Sequence, residues 1–457
     1  MSGPKVVRVV TREELEAICQ RHIALVDVAI RGVRAVVKRH DLDENELLKG
    51  LVSRRDELVS LLERGRFAEL QKNAPAVVQF CQGEASRLEA KAAAAIEAAR
   101  SRRRRLSDTA RSVLGALDAR GLGAPAALKA VVARSLVASE GELQELEKVV
   151  SDGLAQVSSV GKAGGATRQD IADLAQRLAA GTRELSLEGW RAENGVRTES
   201  SDTRLDKVLA EIELLGDASL MKAFSDRAAR VAEEEDVGRR RLLTDSLVLD
   251  ASGAAQRLKA IEAYKSQLRD AQAALITFSA DEAQKQAAAI SEALAKPDLA
   301  MDEGLLKAAT ASIERAQAQL AAAARRKAIL GGLATLGYEV REGMATAWTE
   351  KGRLVVRKPN STDYGVELAA PKDASRLQVR LVGAANPVSA RSAGRDRDQE
   401  AMWCSEFGKL SELVAANGGD VVIERALAVG AQAVKTVAFD DVVADRAEDV
   451  APRERRL

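Results

Sequence analysis

The chain contains little proline, the residue that interrupts helices most strongly. Its 457 residues include 8 prolines, and none lies between Pro125 and Pro297. Proline removes a backbone hydrogen bond and clashes inside a helix, so a proline-free segment rich in alanine, leucine, glutamate, arginine and glutamine can form long helices. Aromatic residues make up only 3% of the chain. These scarcities predict a long, mainly α-helical body.

Neither sign of charge predominates. The chain has 69 lysines and arginines against 68 aspartates and glutamates, which leaves a formal net charge of +1. A general nucleic-acid or membrane-surface binder normally has a basic excess, so this balance argues against both classes. Mixed charge suits solvated helix faces, where unlike side chains three or four positions apart support one another.

Cysteines and long apolar segments are also scarce. Cys19, Cys81 and Cys404 are far apart and have the spacing of neither a disulfide framework nor a metal site. The N-terminal residues lack the apolar core of a signal peptide, and no segment approaches the roughly 20 apolar residues of a membrane-spanning helix. We therefore expect a soluble protein of the reducing cytoplasm.

The first part of the chain has the pattern of a helical hairpin. Residues 1–10 should be extended, and Thr11 with Glu14 has the spacing of a capping box at the start of a helix. A second helix is expected after Asp43, and the two helices should pair antiparallel across a turn near His40. A third helix should start after Pro75.

Heptad repeats mark the middle of the chain. Two segments on either side of Pro297 carry apolar residues at both seam positions, and we expect them to fold back on each other across a turn near residues 296–302. The seam residues are Ile261, Tyr264, Leu268, Ala271, Leu275 and Phe278 in the first segment, and Leu306, Ala309, Ile313, Ala316, Leu320 and Ala323 in the second. Ser279 with Glu282 should cap a helix between them.

Aromatic residues and prolines become frequent after Gly331. Short β-patterned segments are expected at 338–340, 345–349, 353–357, 364–368 and 377–382, with further extended pieces at 421–423 and 434–437. A polar loop should span 386–398, and residues 399–416 should form one helix that lays Trp403, Phe407, Leu410 and Leu413 on the sheet. These segments predict a small α+β domain, which we call the head.

The predicted fold is therefore mainly α, with long antiparallel helical hairpins or coiled coil and a small C-terminal α+β domain of one antiparallel sheet and one helix. We divide the chain into an N-terminal helical hairpin region at 1–160, a central coiled-coil region at 166–330, the head at 331–440 and a flexible charged tail at 441–457. Gly161 to Gly165 form the predicted hinge between the two helical regions.

Catalytic and metal motifs are incomplete throughout the chain. Ser219 and Lys222 have the S-x-x-K spacing of a serine acylase, as do Ser159 and Lys162, but the further motifs of such enzymes are missing. Residues 41–45 begin like a calcium loop, yet position 46 is a glutamate where glycine is required. We therefore predict no catalytic residues, no metal and no cofactor.

The predicted head also contains acidic residues that are candidates for a hydrolase site. Restriction-type nucleases place acids and a lysine on adjoining strands, and Asp363, Glu367 and Lys372 fall on or beside predicted strands. The E-x-K spacing is missing, because Glu367 is followed by Leu368 and Ala369. A hydrolase would still show a concave pocket lined by Asp363, Glu367 and Asp396.

Two groups of residues are candidates for contact with a partner. Arg102, Arg103, Arg104 and Arg105 are consecutive, and Arg100 lies just before them. Four successive positions cover most of a helix circumference, so some of these side chains must face solvent, an acidic protein surface or phosphate. Trp403 and Phe407 would form either an exposed docking patch or the seal of a small sheet.

These observations favour a non-enzymatic coiled-coil scaffold or adaptor subunit of a multi-protein complex. The head would recognise a partner protein, and the helices would pair within the chain or between two copies. Long helical arms with one compact head are similar to the layout of bacterial accessory subunits that work beside ATPases or nucleases, although no motif identifies a family. The alternative is a nucleic-acid-binding accessory protein that acts through Arg100 to Arg105.

Overall fold

The structure is a computed structural model, and it describes residues 4–119, 121, 123, 125–135, 138–161, 201–234, 236–371, 374–387 and 391–439. The predicted charged tail at 441–457 lies outside these residues, as does the predicted hinge except for Gly161, which ends a helix.

Helices dominate the described residues, which confirms the mainly α prediction. They are α1 (Arg12–Arg39), α2 (Asn45–Glu63), α3 (Phe67–Asp118), α4 (Ala126–Arg134), α5 (Glu140–Gly161), α6 (Ser201–Leu214), α7 (Ala218–Ala232), α8 (Val237–Ile276), α9 (Asp281–Ala295), α10 (Glu303–Thr335), α11 (Met344–Lys351) and α12 (Ala393–Ala416).

The N-terminal hairpin forms with one difference at each cap. The backbone N–H of Glu14 donates to the Thr11 hydroxyl at 3.3 Å, which is the Thr11 half of the predicted capping box, while the Glu14 carboxylate pairs with Arg325 of α10. Asp43 does not cap α2, because its carboxylate accepts from the Asn45 side-chain amide at 2.7 Å. Arg55 of α2 pairs with Asp27 of α1 at 3.1 Å, which places the two helices side by side.

The third helix begins earlier than predicted. α3 starts at Phe67 and continues through Pro75. Proline removes one backbone donor from the helix, but Phe67, Leu70 and Ala74 on the same turns are buried. Their burial offsets the lost hydrogen bond, so the proline does not mark the helix start as expected.

The coiled-coil region pairs differently from the heptad prediction. The turn at residues 296–302 joins α9 to α10, and these two helices pack on each other. Residues 281–295 form the helix that was predicted between the two heptad segments, and this helix is the one that packs on α10 across the turn. Ala280 precedes that helix without a side-chain cap, so the predicted Ser279 cap is wrong.

The head is built on a single six-stranded sheet. Its strands are β1 (Lys5–Val10), β2 (Arg353–Val356), β3 (Tyr364–Ala369), β4 (Leu377–Ala384), β5 (Asp420–Ala426) and β6 (Lys435–Val437). The order is β2-β3-β4-β1-β5 with antiparallel neighbours, while β6 pairs in parallel with the end of β4. The N-terminal strand thus lies in the middle of the C-terminal sheet, with Lys5 opposite Val379 and Val7 opposite Ile423.

Three predicted segments of the head differ in the structure. Residues 345–349 belong to helix α11, which is bounded by Gly343 and Gly352 in left-handed conformations and anchored by buried Trp348. Residues 338–340 make no strand, although the Glu339 N–H donates to the Arg357 carbonyl at 2.8 Å. The predicted loop is shorter, because α12 begins at Ala393 with Ser392 as its N-cap.

One apolar core holds the sheet and the helices on it together. Trp403, Phe407 and Leu410 are buried on α12 as predicted, while Val414 takes the place expected for Leu413. Ile329, Leu330 and Leu333 at the end of α10 join the same core. A helix of 33 residues that rises about 1.5 Å per residue therefore leads directly into the head.

The chain forms two compact units. The first contains Met1–Ala35, Asp43–Gln82 and Lys265–Leu457, and the second contains Val36–Leu42 and Gly83–Tyr264. Neither unit is continuous along the chain, whereas the division predicted from the sequence consisted of continuous segments. The second unit has two apolar clusters of its own, one between α3, α4 and α5 and another between α6, α7 and α8.

Candidate functional site

The head contains a concave cavity of about 360 Å³, which we call the head pocket. It is bounded by the β2–β3 connection, by β3 and β4, and by one face of α12. Its lining residues are Tyr338, Lys358, Asn360, Ser361, Thr362, Asp363, Tyr364, Gly365, Val366, Leu381, Arg395, Gln399, Met402, Trp403 and Glu406. The volume lies within the range usual for ligand sites.

Local structure positions the two walls of the head pocket. Arg395, Gln399, Met402 and Glu406 follow one another at helical spacing, so they project from a single face of α12. Asn360 to Asp363 form the opposite wall, where the Ser361 N–H donates to the Lys358 carbonyl at 3.0 Å. A turn built in this way holds its polar side chains at the edge of the sheet.

One pair of charges on the rim is held by a tyrosine. Glu406 accepts from the Tyr338 hydroxyl at 2.6 Å and pairs with the Lys358 ammonium. The ammonium also lies 5.2 Å from the centre of the Tyr338 ring. Burial, and then the hydrogen bond to Glu406, raise the pKa of Tyr338 above its usual value. The phenol therefore stays a hydrogen-bond donor.

A second pair of charges lies on the rim beside α12. Arg395 approaches the buried Asp363 carboxylate at 3.5 Å. Just outside the lining, Asp396 accepts from the Tyr364 hydroxyl at 2.6 Å and pairs with Arg391 at 2.9 Å. Burial by itself raises the pKa of Asp396, but the hydrogen bonds from Arg391 and Tyr364 outweigh it and the pKa is lowered.

Apolar residues line the head pocket together with the polar ones. Val366, Leu381 and Trp403 are buried there, beneath the polar rim. Met402 also lines the head pocket, and it is 57% exposed. Methionine adapts to irregular surfaces and is common where proteins bind partners of varied shape. The arrangement can take an apolar side chain inside and hold polar groups beside it at the rim.

The three acids of the hydrolase prediction do not share this site. A concave pocket exists and Asp363 lines it, but Glu367 and Asp396 do not. Glu367 alternates with Val366 along β3, so it points to the other face of the sheet. There it bonds to Arg380 and Lys435. Burial by itself raises the pKa of Glu367, but these two hydrogen bonds outweigh it and the pKa is lowered. Lys372 lies outside the described residues.

The other candidate motifs do not form catalytic or metal sites among the described residues. The Ser219 hydroxyl donates to Asp217 at 2.9 Å, where it supports the cap of α7. Lys162 of the second S-x-x-K pair lies outside the described residues. Within the part of the chain that the structure describes, no three histidine, cysteine, aspartate or glutamate residues come together as metal ligands would.

The arginine cluster makes contacts within its own unit. Arg102 forms two hydrogen bonds with Glu147, at 2.8 and 2.9 Å, and Arg104 pairs with Asp206 at 2.8 Å. Arg103 donates to the Ala138 carbonyl, Arg105 donates to the Ser101 carbonyl, and Arg100 pairs with Glu213. The cluster therefore joins α3 to α5 and α6.

Arg104 and Arg105 should differ sharply in their effect on stability. Asp206 is buried, and this burial raises its pKa against the opposing charge of Arg104. Arg104→Ala should lower the opening free energy of α6 by about 1 to 2 kcal/mol, less than for a fully buried pair because Arg104 stays 24% exposed. Native-state hydrogen exchange measures this change.

The neighbouring Arg105→Ala is the matched control, because Arg105 is exposed and bonds to a carbonyl of its own helix. We expect it to change exchange in α6 by less than about 0.5 kcal/mol. Equal effects of the two substitutions would contradict this assignment.

Trp403 and Phe407 lie in the core of the head, each only 2% exposed. They do not form an exposed patch, because a sheet with few aromatic residues needs both to cover it. Trp403 still reaches the head pocket as part of its inner surface. Sequence reasoning missed Tyr338, Lys358, Met402 and Glu406. The sequence shows that Met402 and Glu406 have helical spacing and share a face of α12. It does not show that this face packs near the β2–β3 turn, which is distant along the chain.

Comparison with protein-family models, with curated proteins and with solved structures found no match. None of the described helices has both the length and the apolar character needed to cross a bilayer.

Proposed function

We propose that this protein is a non-enzymatic, coiled-coil scaffold or adaptor, and that its head binds a partner protein. A segment of the partner places an apolar side chain in the head pocket, while its backbone and polar groups contact the rim. The protein works in the reducing cytoplasm as a subunit of a larger complex. An ATPase or a nuclease is the kind of protein it would accompany.

The observation that carries this proposal is the presence of apolar side chains and two charge pairs in the lining of one small cavity. The Lys358–Glu406 and Arg395–Asp363 pairs hold rim groups of both signs in place. A protein segment offers the same mixture of donors, acceptors and apolar side chains, and preformed rim geometry reduces the entropy lost on binding. The exposed Met402 supplies adaptable apolar contact at the same place.

The helical part supports the scaffold role. α10 runs about 50 Å by its rise per residue and ends inside the core of the head. Arg325 of this helix pairs with Glu14 of α1 at 2.7 Å, and both side chains are largely buried. The head is thus fastened to helices that set its reach.

The test compares two methionines of nearly equal exposure. Met402, in the head pocket, is 57% exposed, and Met301, before α10, is 58% exposed. The tagged full chain is captured from its own cells as the wild type, as Met402→Asp and as Met301→Asp. A partner should be retained by the wild type and by Met301→Asp, and Met402→Asp should weaken its binding by about tenfold or more.

Titration with the purified partner then measures the dissociation constant for each chain. Equal affinity for all three chains would contradict recognition through the head pocket. Loss of binding by Met301→Asp alone would move recognition to the helices.

The nucleic-acid alternative depends on the same arginines that make contacts within the chain. Ion pairs with Glu147 and Asp206 reduce the charge that Arg102 and Arg104 offer to phosphate. Titration with mixed-sequence duplex at two salt concentrations separates the two functions. Phosphate contact predicts a steep loss of affinity at the higher salt, and the adaptor predicts no measurable binding at either.

A further inference from the structure

Helix α8 carries apolar residues on two opposite faces. In the second unit, Leu247, Val248, Ala251, Ala254 and Ala255 are buried against α6 and α7. Leu242 and Leu249 lie seven residues apart on the far side of the helix, and they are 72% and 73% exposed. A solvated helix normally has one apolar face, so a second one indicates that something else covers it.

The exposed face has the repeat of a coiled-coil seam. Residues follow at alternating spacings of four and three, and large side chains alternate with small ones. We call this set the α8 seam, and its members are Leu242, Ser246, Leu249, Gly253, Gln256 and Ala260. A side chain added at Gly253 would meet only the end of Arg257, at 3.8 Å, so the middle of the α8 seam is open.

We propose that the α8 seam binds the same seam of a second copy of this chain, with the two helices antiparallel. In this register Leu242 faces Ala260 of the other copy and Leu249 faces Gly253. Ser246 faces Gln256. Each leucine therefore packs against a small residue, and the twofold axis repeats every contact. A parallel pairing would place Leu249 against Leu249 and Gly253 against Gly253, with gaps at the small layers.

The charges beside the α8 seam favour the same direction. Antiparallel pairing brings Asp245 of one copy near Lys259 of the other, twice across the axis. Within its own chain Asp245 already pairs with Arg204 at 3.1 Å and Lys259 with Glu211 at 2.8 Å, so the contact between copies would join these pairs into a network of alternating charge. Parallel pairing would instead bring Asp245 near Asp250, two like charges. Asp250 lies near its own symmetry mate in the antiparallel pair, but Arg227 already pairs with it at 2.6 Å. The proposal depends on α8 and is independent of the head pocket.

The first experiment is light scattering of the full chain over a range of concentrations. The wild type should have a mass of two chains of 48.7 kDa. The double variant Leu242→Glu, Leu249→Glu should have half that mass at the same concentration, with an unchanged circular dichroism spectrum. Ile276→Glu is the control, because Ile276 is an exposed apolar residue of the same helix outside the seam. It should remain a dimer.

A wild type that stays monomeric would overturn the proposal. It would indicate that residues 162–200 or another protein cover the α8 seam. A double variant that stays dimeric with an intact spectrum would also overturn it.

Cysteine cross-linking tests the direction even if the glutamate variant fails to fold. Leu249→Cys and Gly253→Cys are made separately in a Cys404→Ser background, since Cys404 is partly exposed. Antiparallel pairing predicts a disulfide-linked dimer when the two variants are mixed, and little when either is oxidised alone. Efficient self-linking of each variant alone would show a parallel pair, and no linking in the mixture would overturn the interface.

Discussion

Trp403→Ala should destabilise the head by about 3 to 5 kcal/mol, the usual cost of deleting a large buried aromatic side chain. Trp403 packs edge-on against Tyr338 and Phe407, with ring centres 6.1 and 6.0 Å away. Its removal also opens the inner surface of the head pocket. Hydrogen exchange of the amides in β3 and β4 in the full chain measures the loss without relying on tryptophan fluorescence.

Met402→Ala is the matched control for this substitution. Met402 precedes Trp403 on the same helix but is exposed, so its truncation should change the stability of the head by less than about 0.5 kcal/mol. A docking patch would give the reverse pattern, in which Trp403→Ala weakens partner binding and leaves amide exchange unchanged. That pattern would contradict the assignment of Trp403 to the core.

Lys5→Met should stabilise the head by about 2 kcal/mol. Lys5 of β1 is only 2% exposed, and among the described residues its ammonium has no hydrogen-bond partner. The nitrogen lies 5.1 Å from the centre of the Phe407 ring, which compensates only part of the lost hydration. Burying a charged or polar group without partners costs several kcal/mol, and methionine has a similar length without that cost. Chemical unfolding of the full chain, followed by hydrogen exchange in β1 and β4, measures the gain.

Arg8→Met provides the comparison for Lys5. Arg8 belongs to the same strand but is exposed on the other face of the sheet, so the same kind of substitution should change stability by less than about 0.5 kcal/mol. A loss of stability in Lys5→Met would show that the ammonium has a partner that stabilises the head.

Features determined by neighbouring residues could be predicted from the sequence. The Thr11 cap, the strands of residues 353–356 and 364–369 and the burial of Trp403 and Phe407 depend on hydrogen bonds and periodicity within a few residues. Residues 345–349 show the limit of this reasoning. Their alternating pattern is typical of a strand, but the left-handed Gly343 and Gly352 and the burial of Trp348 favour a single helix.

The head pocket could not be predicted, because its walls come from distant parts of the chain. Lys358 and Glu406 meet only after the β2–β3 turn and α12 have packed on one sheet. The arginine cluster illustrates the same point. Its sequence indicates only that some side chains must find a partner, while Glu147 and Asp206 become those partners once α5 and α6 lie against α3.

The sequence by itself determined the helical character of the chain and the presence of a small α+β head. These features follow from backbone preferences and side-chain spacing that act over one or two turns. Only the tertiary structure decided that β1 lies between β4 and β5, that α9 pairs with α10 and that Leu242 and Leu249 of α8 are exposed. Each of these outcomes depends on which apolar faces meet across long stretches of chain, and a periodic pattern records that a face must be buried but not which surface buries it.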